Sequence, residues 1–237
     1  MMSRKKIKIV IIFISAFFYF SHFVQADSGY LKEVLDTNPA LYNEALSRSA
    51  SASKSASISK PLYQNSFSNA QSLSSQGVSA LMGSWSLSDK GLTPSKTETR
   101  AVFAGTNGSN YDITANVSLN SGNGYGIYYH ATDSAAITGY CFQVDPGWNN
   151  SFIVRKVVNG TESSPFQSVS MDDVMPVGFS PKGEHTVSVS VSGSDHVITV
   201  DGIQVLKFSD STFTSGFAGA RAWGADVNFK NVTVENK

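Results

Sequence analysis

Asp210-Ser-Thr-Phe-Thr-Ser-Gly-Phe-Ala-Gly-Ala-Arg-Ala-Trp-Gly-Ala-Asp-Val-Asn-Phe-Lys-Asn-Val-Thr-Val234 carries two phrases in succession near the end of the chain. The first sets Asp210, Phe213, Gly216 and Gly219 at three-residue steps and leads into a strand. The second places Val227, Phe229, Val232 and Val234 in a strand whose apolar side chains fall on one face, since successive residues of a strand point to opposite sides. Phe217, Phe229, Val232 and Val234 are therefore expected to close a hydrophobic core. Arg221 and Trp223 lie between the phrases and carry groups that can serve a ligand.

Working back from this stretch, the same two-residue period recurs through most of the chain. Pro61–Phe67, Gly83–Leu87, Arg100–Ala104, Tyr111–Leu119, Gly124–His130, Ile137–Asp145, Phe152–Val158, His185–Val191, Val197–Asp201 and Gln204–Ser209 read as strands. Tyr111–Leu119 is the clearest, with apolar or small residues at every odd position. Turn residues separate the runs: Asn107-Gly108, Asp145-Pro-Gly147, Asn159-Gly160 and Asp201-Gly202. Many short strands at near-regular spacing, without helical patterns between them, predict an all-β antiparallel sandwich over residues 60–237.

The preceding residues have a different character. Arg4, Lys5, Lys6 and Lys8 precede an apolar run from Ile9 to Phe20 and a Val24-Gln-Ala26 cleavage site, so residues 1–26 read as a secretory signal. The run is well short of the roughly 20 apolar residues that span a bilayer, so no membrane span is expected after cleavage. Residues 27–46 show three- to four-residue apolar spacing with Asn38-Pro39 as a helix start, which predicts a short helical segment. Residues 47–59 have Ser at every odd position. That segment cannot offset a backbone ordering cost of about 1 to 2 kcal/mol per residue, and predicts a flexible linker. The expected localisation is secreted, periplasmic or cell-surface.

Charge narrows the partners. Four of the 18 Lys and Arg lie in the signal, which holds no Asp or Glu, so the remainder has 14 basic against 18 acidic residues, a net −4. No basic run survives, which argues against nucleic acid and anionic lipid. Cys141 is the only cysteine, which excludes an intrachain disulfide and a Cys-based zinc cluster.

His185-Thr-Val-Ser-Val-Ser-Val191 with Val197-Ile-Thr-Val-Asp-Gly202, the Asn65-Ser-Phe67 opening, Gly126-Ile-Tyr-Tyr-His130, Tyr140-Cys-Phe-Gln-Val144 and the closing stretch occur in the order found in one family. Over nearly all of 60–237 the chain resembles LamG-like, concanavalin A-like lectin-glucanase jelly rolls, including the 3-keto-disaccharide hydrolase-like domains and family-66-type carbohydrate-binding modules. The resemblance implies a jelly-roll sandwich that binds a glycan on one sheet or at its rim.

Alternation then suggests which side chains meet such a ligand. With Ile127, Tyr129, Phe142, Val144, Phe152 and Val154 inward, His130, Gln143 and Arg155 share the opposite face. Planar amide, guanidinium and imidazole groups pair with sugar hydroxyls, and an indole covers a sugar ring's apolar face. The candidate ligand-binding residues are Arg155, Gln143, Arg221, His130, Trp148 and Trp223; Trp85 and Phe229 are assigned to the core. Calcium is a frequent companion of the superfamily, and Asp133, Asp145, Asn149 and Asp210 are its candidate ligands, although no Asp-x-Asp-x-Asp-Gly loop is present.

Hydrolysis of glycosides needs two placed carboxyl groups. No Glu-x-Asp-x-x-Glu string occurs, Met171-Asp-Asp173 would point its carboxylates to opposite faces of a strand, and Glu98 and Glu162 fall at predicted turns or ends. No catalytic residues are assigned. The reading is a secreted or envelope-associated carbohydrate-binding module. The alternatives are a structural or adhesive module that meets a cell-surface protein through residues 27–46, and a sugar-processing hydrolase served by Asp145 or His130.

Overall fold

The computed structural model describes residues 60–67 and 72–237, so the expected signal, helical segment and linker lie outside the described residues. The strands are β1 (Tyr63–Asn65), β2 (Val78–Met82), β3 (Trp85–Ser88), β4 (Gly91–Pro94), β5 (Thr99–Phe103), β6 (Tyr111–Gly122), β7 (Tyr125–Ala131) and β8 (Gly139–Asp145). They continue with β9 (Ser151–Val158), β10 (Thr161–Glu162), β11 (Gln167–Ser170), β12 (Gly183–Ser192), β13 (Asp195–Val200), β14 (Ile203–Ser209), β15 (Phe217–Ala222) and β16 (Ala225–Asn236).

Two antiparallel sheets form a jelly-roll sandwich of concanavalin A type. One runs β14-β13-β12-β6-β16-β4-β3, with β1 also on β16; the other runs β10-β9-β8-β7-β15-β5-β2, with β11 also on β9. The second phrase of the closing stretch does what its period predicts, whereas Phe217 is only partly buried and packs against the smaller cluster of Val102, Tyr128 and Cys141 instead of closing the main core. β16 lies between β6 and β4, and Phe229, Val232 and Val234 are fully buried in the core. β6 shows strict alternation, with Tyr111, Ile113, Ala115, Val117 and Leu119 inward. Trp85 and Phe229 share the core with tilted rings 6.0 Å apart.

Two local readings are corrected. Met171–Val174 is a one-turn helix, α1, and not a strand: the Ser170 hydroxyl accepts the Asp172 amide at its start, and Asp172 and Asp173 occupy the first turn, where acidic residues favour the helix end. The short strands β2, β4, β10 and β11 were not expected. Each has five residues or fewer, too few for a period to declare itself.

His130 is the larger correction. Tyr128 pairs with Gly219 but Ala131 pairs with Phe217, so β7 carries an extra residue opposite β15, and His130 takes a φ of 46°. The bulge resets the alternation and turns both Tyr129 and His130 inward. The imidazole is 2% exposed, edge-on to Tyr111 with centroids 5.4 Å apart. Its Nδ1 and Nε2 face the carbonyl oxygens of Phe213 and Ser109 at 2.9 and 3.0 Å. His130 is a packing residue.

Candidate functional site

Between β8 and β15, strand β7 presents only glycine on its outer face near one end of the sheet. Gly126 stands in register between Gln143 on β8 and Arg221 on β15. A Cβ there would meet the Cys141 sulfur at 2.7 Å; at Gly124 it would lie 2.2 Å from the Val144 carbonyl and 3.1 Å from Trp223. Because these two positions have no side chain, the flanking residues stand apart and a cleft of about 360 Å³ opens, lined by Asn123, Gln143, Asp145, Gly147, Trp148, Arg155, Glu162, Arg221 and Trp223.

Five of the six residues expected at a ligand site, Gln143, Arg155, Arg221, Trp148 and Trp223, therefore line one cleft, and His130 does not. Asn123, Gly147 and Glu162 join them in the lining, as does Asp145, which the sequence marks only as a calcium ligand or a catalytic group. The signal for Glu162 lay in the Asn159-Gly160 turn: two more residues of hairpin pair Glu162 with Val157, whose side chain shares the outer face with Arg155.

The cleft is held by a continuous polar network. Glu162 accepts from Gln143 Nε2 at 2.7 Å and pairs with Arg221 Nη1 at 3.0 Å and Arg155 Nε at 3.6 Å. Arg155 also donates to Gln143 Oε1 at 3.2 Å. Behind this, Glu98 takes Arg221 in a fork of 2.8 and 3.0 Å and accepts from Arg100 Nε at 3.1 Å, while Arg100 Nη2 donates to the Gly160 carbonyl at 3.0 Å. Two planar charged pairs fixed in this way cannot swing to suit a ligand, so the groups are preorganised.

The indoles are fixed by the same arginines, with Arg155 4.8 Å from the Trp148 ring and Arg221 4.1 Å from that of Trp223. Three turns form the rim. The Gly147 amide donates to the Asn123 carbonyl and the Asn123 amide to that of Gly224, each at 3.2 Å, which joins the β8–β9, β6–β7 and β15–β16 turns. The β9–β10 hairpin brings Glu162 into the lining, its tip bonded through the Gly160 amide to the Ile137 carbonyl at 2.8 Å.

The outer face is less open than alternation alone implied. Tyr128, Cys141 and Val157 form a small apolar cluster under the hairpin and the β7–β8 loop. Burial pushes the Cys141 thiol up to about 12, against the influence of Arg221. Asp145 is 5% exposed, and burial raises its carboxyl above the usual range, partly offset by the Trp148 amide, Arg155 and Arg221.

The calcium candidates do not form a donor set. Asp210 is engaged by Lys156 at 2.6 Å and by Tyr140, and Asp133 receives a 3.4 Å bond from Ser79. Among the described residues no group of three or more His, Cys, Asp or Glu is placed to hold a metal ion. No helix among the described residues is long and apolar enough to cross a membrane.

Residues 65–235 match the family of 3-keto-alpha-glucoside-1,2-lyase-like domains, and the chain belongs to that family. Among solved structures it is similar to the family 66 carbohydrate-binding module from Bacillus subtilis, with a TM-score of 0.58 and 21% identity over 68% of this chain and 96% of that one. A putative glycosyl hydrolase from Parabacteroides distasonis gives 0.51 and 15% over 68% and 88%. The exoplasmic/lumenal domain of VIP36, with Ca2+ and Man3GlcNAc bound, gives 0.57 and 10% over 75% and 90%. These likenesses establish the jelly-roll fold. No curated protein matches the sequence.

Proposed function

We propose that this protein is a sugar-binding module, exported by its leader and retained at the cell envelope or released. The observation that carries the reading is the glycine-floored cleft, with two indole rings at its sides and amide, carboxylate and guanidinium groups locked in place between them. A sugar ring offers apolar C–H faces to indoles and hydroxyl edges to planar polar groups, so such a cleft supplies both halves of the recognition.

A glycan array probed with the chain from Asp27 onward tests this. Expected is binding to a subset of glycans that is lost in an Arg155→Ala/Arg221→Ala variant; no binding, or equal binding by the variant, refutes it. Deleting residues 27–59 is expected to release the domain from the cell surface with glycan affinity unchanged. That separates a sugar-binding role from an adhesive one.

A second reading, lyase action on a 3-keto-α-glucoside, is favoured by the family match and by the buried Asp145 carboxyl in the cleft, which could serve as a base. Turnover of such a glucoside that vanishes in Asp145→Asn would establish it. His130 has no part in either reading, because its ring lies in the core.

A further inference from the structure

We propose that Asp145 sets the charge class of the sugar that the cleft accepts, admitting uncharged sugars and turning away uronates and sulfated sugars. The inference rests on the sugar-binding reading and concerns the same cleft. Its basis is how the charges are shared. Among the described residues Arg100, Arg155 and Arg221 form ion pairs only with Glu98 and Glu162, so this network of three guanidiniums and two carboxylates has a formal charge of +1. Asp145 restores neutrality, yet among the described residues it forms no ion pair; it lines the cleft as a largely buried residue. The charged groups around it are Arg155 from β9, Arg221 from β15 and Glu162 from β10, and β7 offers only glycine.

Two consequences for a ligand follow. A carboxylate or sulfate entering the cleft finds the Arg221 guanidinium already engaged by Glu98 and Glu162 and that of Arg155 bonded to Gln143 and Ser163, and is repelled by an ionised Asp145 in the lining. A neutral sugar meets neither difficulty, and a hydroxyl can donate to a carboxylate that accepts and cannot donate. Specificity then comes from a repulsive element as much as from attraction. When Asp145 is protonated or replaced by Asn, the site is left at +1 and the barrier to anionic sugars disappears. Burial raises this carboxyl above its ordinary value, against Arg155 and Arg221, so the change comes at a higher pH than for an exposed aspartate.

The test is calorimetric titration of the chain from Asp27 onward with matched pairs of hexosides and their uronic acid counterparts, for wild type and Asp145→Asn. Expected for the wild type near pH 7 is a preference for the neutral member of at least about tenfold. That ratio should collapse in Asp145→Asn and narrow in the wild type as the pH is lowered over the range in which the uronate stays ionised. Equal affinity of the wild type for both members near pH 7, or an undiminished ratio in the variant, overturns the proposal while leaving sugar binding in place. Failure of both members of every pair to bind overturns the sugar-binding reading and this proposal with it. Should the variant not fold, the wild-type pH series decides alone.

Discussion

At the scale of single residues, Arg221 ties the lining of the cleft to the carboxylate behind it. It is forked by Glu98, paired with Glu162 and stacked on Trp223, and is 7% exposed. Arg221→Ala leaves two carboxylates short of a partner. Glu98 keeps access to water, so the expected loss is roughly 2 to 3 kcal/mol, below the about 3 to 5 of a fully buried pair. Urea unfolding measures it, and sugar affinity should fall more than about tenfold in parallel. His130→Ala separates packing from binding: the loss of a buried ring and of partners for two carbonyls should cost about 2 to 4 kcal/mol, with sugar affinity changed by less than about twofold. Alternation along β8 and β9 located Gln143 and Arg155 without a structure. It failed at His130 because a bulge is written in the partner strand's register, which no local pattern of β7 contains.

At the scale of elements, β13 and β14 bring His196 flat against Phe208, with ring centroids 4.6 Å apart and Nε2 at 2.9 Å from the Asp210 carbonyl. Burial lowers its basicity, against the opposing pull of that carbonyl, so the folded state holds the ring neutral. The unfolded chain takes up the proton near the ordinary value of about 6.5. Stability contributed by the neutral ring is therefore complete above that pH and is lost as pH falls. The urea midpoint is expected to drop between about pH 7.5 and pH 5.5, and the drop should be smaller in His196→Asn. Elements with a long period, such as β6 and β12, could be read directly from sequence. β10 could not, although it delivers Glu162 to the cleft, because two residues display no alternation. Nor could the Glu98–Arg221 fork, whose members are 123 positions apart in the chain.

At the scale of the described residues as a whole, the two sheets supply a core and the outer face of one of them supplies the cleft, so stability and recognition draw on opposite faces of the same strands. β7 shows the division: Tyr125 and Ile127 are in the core, while Gly124 and Gly126 shape the cleft. The class of fold was legible because it depends on period and turn chemistry, which are local. The charge balance of the cleft was not, because it is assembled from Glu98 and strands β5, β8, β9, β10 and β15, which come together only after folding. Cys141, directly beneath that cleft, has a further use. As the chain's single thiol, with no exposed surface and burial keeping it protonated, it is a built-in reporter of opening. A thiol reagent should label it only when the sandwich opens, and a sugar held by the closed form should slow the labelling in step with its occupancy.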